Sequence, residues 1–169
     1  GDALTLIEDD PTLSGLETRT ADDSEIIGAI WSQADGDGCC QMYSEGGEVV
    51  DVLILQTAPL VTLGEVVDVH GDPSYLIGET LSDDQGVFSL FYPDLDMLIY
   101  TFVAGEAGAL SETSEVIGFG YFSPERMDLL LLTNDLHAWE GYQSYDAYMS
   151  TDFEVTQSVT LTPQPGEGE

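Results

Sequence analysis

Asp35-Gly36-Asp37-Gly38 sets two carboxylates one residue apart around a glycine turn, a pattern that converges oxygens on one hard cation. In the twelve-residue calcium loop of EF-hands, position 12 is a bidentate Glu; counted from Asp35 that position is Gly46, with Glu45 beside it. Asp35, Asp37 and Glu45 are therefore candidates for weak calcium binding, weighed against a plain polar hairpin turn. Calcium is the one cofactor the sequence suggests. Cys39 and Cys40 follow directly and are the only cysteines. Adjacent cysteines seldom bridge each other, because the eight-membered ring distorts the peptide and strand alternation points them to opposite faces. One buried and one exposed thiol, an intermolecular disulfide and a vicinal disulfide all stay open, while zinc-type spacing is absent.

Trp139, Tyr142, Tyr145 and Tyr148 recur at three-residue spacing. If exposed, they form a recognition surface rimmed by acids; if buried, they are core. They are the binding candidates. No catalytic set can be assembled. His70 fits a packing or capping role at a helix end, His137 sits beside Trp139, and no serine lies in a Gly-x-Ser-x-Gly elbow. Some carboxylate pair at glycosidase separation is inevitable among 33 acids, which makes it uninformative.

Charge removes further classes. The 169 residues hold 33 Asp plus Glu against 2 Lys plus Arg, a net charge of −31. With Arg19 and Arg126 as the only basic residues besides the histidines, no patch can neutralise phosphates or anionic lipid. Nucleic-acid partners are excluded, and no apolar run approaches the ~20 residues of a membrane helix. At 43% hydrophobic, with 6 Phe, 8 Tyr and 2 Trp, the chain nevertheless has enough core formers to fold. A start at Gly1 fits a processed chain, and the near-absence of basic residues suggests an extracellular or cell-surface location.

The elements expected to position these residues are mostly strands. The Leu4-Thr5-Leu6-Ile7 stretch reads as an edge strand. Residues 24–32, 40–43 and 48–57, the last rich in β-branched side chains, make a three-stranded meander with a turn at Gly46-Gly47. Thr62 and Glu65 form a capping box. Leu63, Val66, Val67 and His70 fall on one helical face, and Gly71 and Pro73 stop the helix. Strands follow at 74–80, 87–92, 97–103 and 115–122, with Ser123-Pro124 opening a second helix that carries Met127, Leu130 and Leu131 inward. Ser24-Glu25-Ile26-Ile27-Gly28 is echoed by Ser114-Glu115-Val116-Ile117-Gly118, which hints at a tandem arrangement.

The run from Thr62 through Gly71-Asp72-Pro73, followed by the hairpin 87–103 and the strand 115–122, resembles the small lipoproteins of the outer-membrane assembly machine (BamE/SmpA). It is also similar to the β-lactamase-inhibitor-protein fold. Tyr92 and Tyr100 stand where that family carries an aromatic strand, and no lipobox cysteine leads the chain. The resemblance spans residues 62–122 and implies a non-enzymatic protein-binding module at the cell exterior.

The expectation is an α+β fold: antiparallel meanders with two short helices on one face, in a β-rich lobe (1–58), a helix-plus-meander lobe (59–153) and an acidic tail (154–169). The expected function is a secreted or surface binding and assembly module without catalysis. The runner-up is a subunit of an extracellular filament or surface layer that self-associates through Leu4-Ile7; a hydrolase is third.

Overall fold

The computed structural model describes residues 2–20, 25–34, 36, 38–82, 85–104 and 108–149. The segment 154–169 lies outside them. Among the described residues, nine strands form a single antiparallel sheet in the order β1-β2-β3-β4-β8-β7-β6-β5-β9. In chain order the elements are α1 (Asp2–Asp9), β1 (Leu13–Thr20), β2 (Ile26–Gln33), β3 (Gly38–Glu45), β4 (Val52–Thr62), α2 (Leu63–His70), β5 (Tyr75–Ser82), β6 (Gln85–Tyr92), β7 (Met97–Val103), β8 (Glu115–Phe122), α3 (Pro124–Thr133), β9 (His137–Ala138) and α4 (Tyr145–Met149). The molecule is thus mostly sheet, with a few short helices.

The strand order reads the same from both ends up to β9. Each half is a helix followed by a four-stranded meander, α1-β1-β2-β3-β4 and α2-β5-β6-β7-β8. Their last strands, β4 and β8, pair antiparallel at the centre, Leu53 opposite Tyr121 and Leu55 opposite Phe119. Antiparallel pairing of equivalent strands is a local two-fold relation. Under it β2 corresponds to β6 and β8 to β4, so the Ile26-Ile27-Gly28 and Val116-Ile117-Gly118 echo joins positions that are not equivalent. Pro59 lies within β4, after a cis Ala58–Pro59 bond, where pairing with β8 skips from Gln56 to Val61. A proline lacks the ladder donor, and a bulge is where a central strand tolerates it.

The helices lie on both faces, not one. Alternation along β6 sends Phe88, Leu90 and Tyr92 to one side, where they join Leu76, Met97, Ile99 and Val116 beneath Leu63 and Val66 of α2 and Tyr148 of α4. Phe91 and Leu98 point the other way and are covered by Met127, Leu130 and Leu131 of α3. The capping box of α2 is formed: Thr62 N–H donates to Glu65 Oε2 at 2.9 Å, and Glu65 N–H to Thr62 Oγ1 at 3.4 Å. Gly71, at φ 79°, closes the helix with its N–H on the Val67 carbonyl at 2.8 Å.

Leu4-Thr5-Leu6-Ile7 is helical, not an edge strand. Ala3, Leu4 and Ile7 share a helical face against Ala29, Trp31 and Met42, which a strand of the same residues would split between two sides. The outer strand is instead β1, whose side chains are mostly exposed. The third strand of the expected meander also starts later: residues 46–51 form the connection, and β4 begins at Val52.

Candidate functional site

The registers place Glu17, Ile30, Gln41, Ile54, Gly120 and Leu98 in one row across the sheet. Arg19, Gly28, Tyr43, Val52 and Phe122 form the next row on the same side. This is the face that α3 covers over β5–β8. Over β1–β4 no described helix covers it, and Ile26, Ile30 and Tyr43 are 48%, 41% and 39% exposed. These exposed apolar side chains on adjacent strands stand among polar neighbours, Ile30 between Glu17 and Gln41 and Ile26 opposite Glu45. The Tyr43 ring lies beside Gly28 opposite it, where an added Cβ would meet the ring at 3.6 Å, an ordinary contact. Its hydroxyl donates to Gln41 Oε1 at 2.9 Å.

Acids rim this face. Arg19 pairs with Glu17 at 3.3 Å, and Arg126 at the start of α3 pairs with Glu45 and lies 4.0 Å from Asp51. Both arginines are therefore occupied by carboxylates. One end of the face opens into a groove of about 330 Å³ lined by Glu17, Ile30, Cys39, Gln41 and Gln56.

Cys39 and Cys40 form a vicinal disulfide, with Cα atoms 3.7 Å apart. Strand alternation does not prevent it because the β2–β3 ladder shifts here. Trp31 faces Cys40 and Ser32 faces Gly38, so Cys39 has no partner in the register. Cys40 packs with Trp31 and Met42.

Of the calcium candidates, Asp35 and Asp37 lie outside the described residues, and the Glu45 carboxylate accepts from Arg126. Among the described residues no group of three or more His, Cys, Asp or Glu is placed to hold a metal ion. No described helix is long and apolar enough to cross a membrane.

The aromatic series is mostly interior. Tyr148 is buried, and Trp139 and Tyr145 pack on the core of the second half. Phe88 meets Tyr145 and Tyr148 with ring centroids at 5.6 and 5.7 Å, and Trp139 stacks on Tyr148 at 6.4 Å. The Tyr148 hydroxyl donates to the Gly141 carbonyl at 2.6 Å and accepts the Glu140 N–H at 3.1 Å. Gly78 permits the close approach of Tyr145, since a Cβ there would fall 2.6 Å from its ring. Only Tyr142 of the four is exposed, at 38%. Burial, and then Glu112, Asp72 and Asp68, hold its phenol above the ordinary tyrosine range. His70 is exposed at the end of α2, with its ring edge-on to Tyr92 at 6.3 Å.

Ile26, Ile30 and Tyr43 were not among the candidates drawn from the sequence. A signal for them exists: in Ile26-Ile27-Gly28-Ala29-Ile30-Trp31 both alternating sets are apolar. Such a strand has a second apolar face that needs its own cover. Compared with known proteins, the chain matches no protein family, and no curated protein or solved structure is significantly similar to it.

Proposed function

We propose that this chain is a non-enzymatic protein-binding module of the cell exterior, and that it binds through the open face of β1–β4. The observation that carries this reading is the unequal cover of one sheet face: α3 buries it over β5–β8, whereas Ile26, Ile30 and Tyr43 stand exposed on it over β2 and β3. A surface of aliphatic side chains and a tyrosine, rimmed by acids, has the composition of a binding centre with a polar rim. The resemblance of residues 62–122 to BamE/SmpA and the β-lactamase-inhibitor-protein fold implies the same kind of role.

The filament reading has less support. The Leu4-Ile7 segment on which it rested is part of α1. The outer strand β1 carries a register shift between Ser14 and Glu17, with Gly15 at φ 66°, and the charged pair Glu17 and Arg19. Bulges and charges of this kind oppose strand addition at an edge. The far edge, at β5, is partly covered by β9.

The test uses wild-type protein and the Ile30→Asp variant as immobilised baits for the secreted and surface proteins of the source cell. A partner retained by the wild type and lost by Ile30→Asp supports the reading. Equal retention by both places binding elsewhere and contradicts it.

A further inference from the structure

We infer that the occupant of the open face is a basic amphipathic helix of a partner protein. This rests on the reading above and adds the partner's shape and charge. The local two-fold relation supplies the shape. In the second half this face seats α3, whose Met127, Leu130 and Leu131 lie on Phe91, Leu98 and Tyr100. α3 follows β8; the equivalent strand β4 leads at Thr62 straight into α2, which packs on the opposite face. The first half therefore lacks a counterpart of α3 after β4. The surface continues from one seat to the other, because Ile54 faces Gly120 and Gly120 faces Leu98. A ten-residue helix is about 15 Å long, close to the span of four strands.

Charge selects the partner. Glu17, Glu45 and Asp51 border the seat against Arg19 and Arg126, so the rim keeps a net negative charge on a chain of formal −31. A second copy of the chain would bring another formal −31, which disfavours self-association through an acid-rimmed face. A helix with an aliphatic stripe flanked by Lys or Arg satisfies both centre and rim. Helix-on-apolar-surface docking needs only such a stripe at i, i+3 and i+4.

Two synthetic peptides based on residues 123–134 test this, each keeping Met127, Leu130 and Leu131. In one, positions 125, 128, 129 and 132 are all Lys; in the other they are all Glu. Each is titrated into the isotope-labelled full chain and followed by amide chemical shifts. The Lys peptide is expected to shift amides of β2 and β3, to bind at least tenfold more tightly than the Glu peptide, and to weaken several-fold as salt is raised. Ile30→Asp abolishes those shifts. Tyr43→Ser serves as a second variant, with unchanged β5–β8 amides showing that the fold is kept. Equal binding of the Glu peptide overturns the basic partner but leaves the open-face reading standing. Lys-peptide shifts outside β1–β4, or undiminished in both variants, are general charge attraction and overturn the inference. If neither peptide binds while bait capture still depends on Ile30, the helix is wrong and the open face is not.

Discussion

The two halves of the sheet share one plan, a helix and then a four-stranded meander, and differ in how they are covered. In the second half Phe88, Leu90, Ile99 and Val116 are fully buried on one side, while Phe91 and Leu98 are enclosed beneath α3 on the other. In the first half the buried cluster consists of Ala29, Trp31 and Met42 under the short helix α1. The difference separates two tasks. A double-sided core supplies stability in one half and leaves the other free to present apolar surface without dissolving the sheet, because β4 and β8 join them by pairing on both sides of the bulge at Pro59.

Substitutions in the second half should cost the most stability. Phe88→Ala removes a fully buried ring in contact with Tyr145 and Tyr148 and is expected to cost about 3–5 kcal/mol by denaturant unfolding. Met42→Ala in the first half should fall near the low end of such truncations, about 2 kcal/mol. Equal losses would show that the halves are equally built.

Tyr92 sharpens the same contrast through pH. Burial first, then the Asp72 charge, pushes its phenol up to about 12 from an ordinary 10.0, and its hydroxyl donates to the Gly71 carbonyl at 3.1 Å. The folded state favours the neutral form, so this contribution is complete below pH 10 and is lost as pH rises toward 12. It is on the order of 2 kcal/mol. Alkaline unfolding of Tyr92→Phe should lack this component; an unchanged profile between pH 10 and 12 would remove Tyr92 from the account.

Much of the second half was legible in the sequence, because its signals are local. The capping box at Thr62 and Glu65, the Gly71 stop, the Ser123-Pro124 helix start and the strands 97–103 and 115–122 are set by neighbouring residues. The first half was harder to read. Leu4, Leu6 and Ile7 satisfy a short alternating pattern, and only the packing of Ala3, Leu4 and Ile7 on Trp31 and Met42 selects helix. β1 was hidden because an exposed edge strand buries neither alternating set. The pairing of β4 with β8 joins residues too distant in sequence for any local pattern to specify. The open face depends on that register, since Ile30, Tyr43 and Ile54 become neighbours only after the strands align. The aromatic series illustrates the converse: its spacing was visible, but which rings would meet Phe88 was not.

The smallest expected effect is that of Ile30→Asp on stability. Ile30 is 41% exposed on the open face, so the substitution should cost less than about 1 kcal/mol even though the proposal makes it decisive for binding. A loss approaching that of Phe88→Ala would mean that Ile30 is a core residue.

That one sheet face is open over β1–β4 and closed over β5–β8 is a claim that hydroxyl-radical footprinting of the native full chain can check. Ile26, Ile30 and Tyr43 are expected to oxidise readily while Phe91, Leu98 and Met127 stay protected until unfolding. Protection of Tyr43 and Ile30 equal to that of Phe91 and Leu98 would mean that the face is covered in the protein itself, and would contradict the claim.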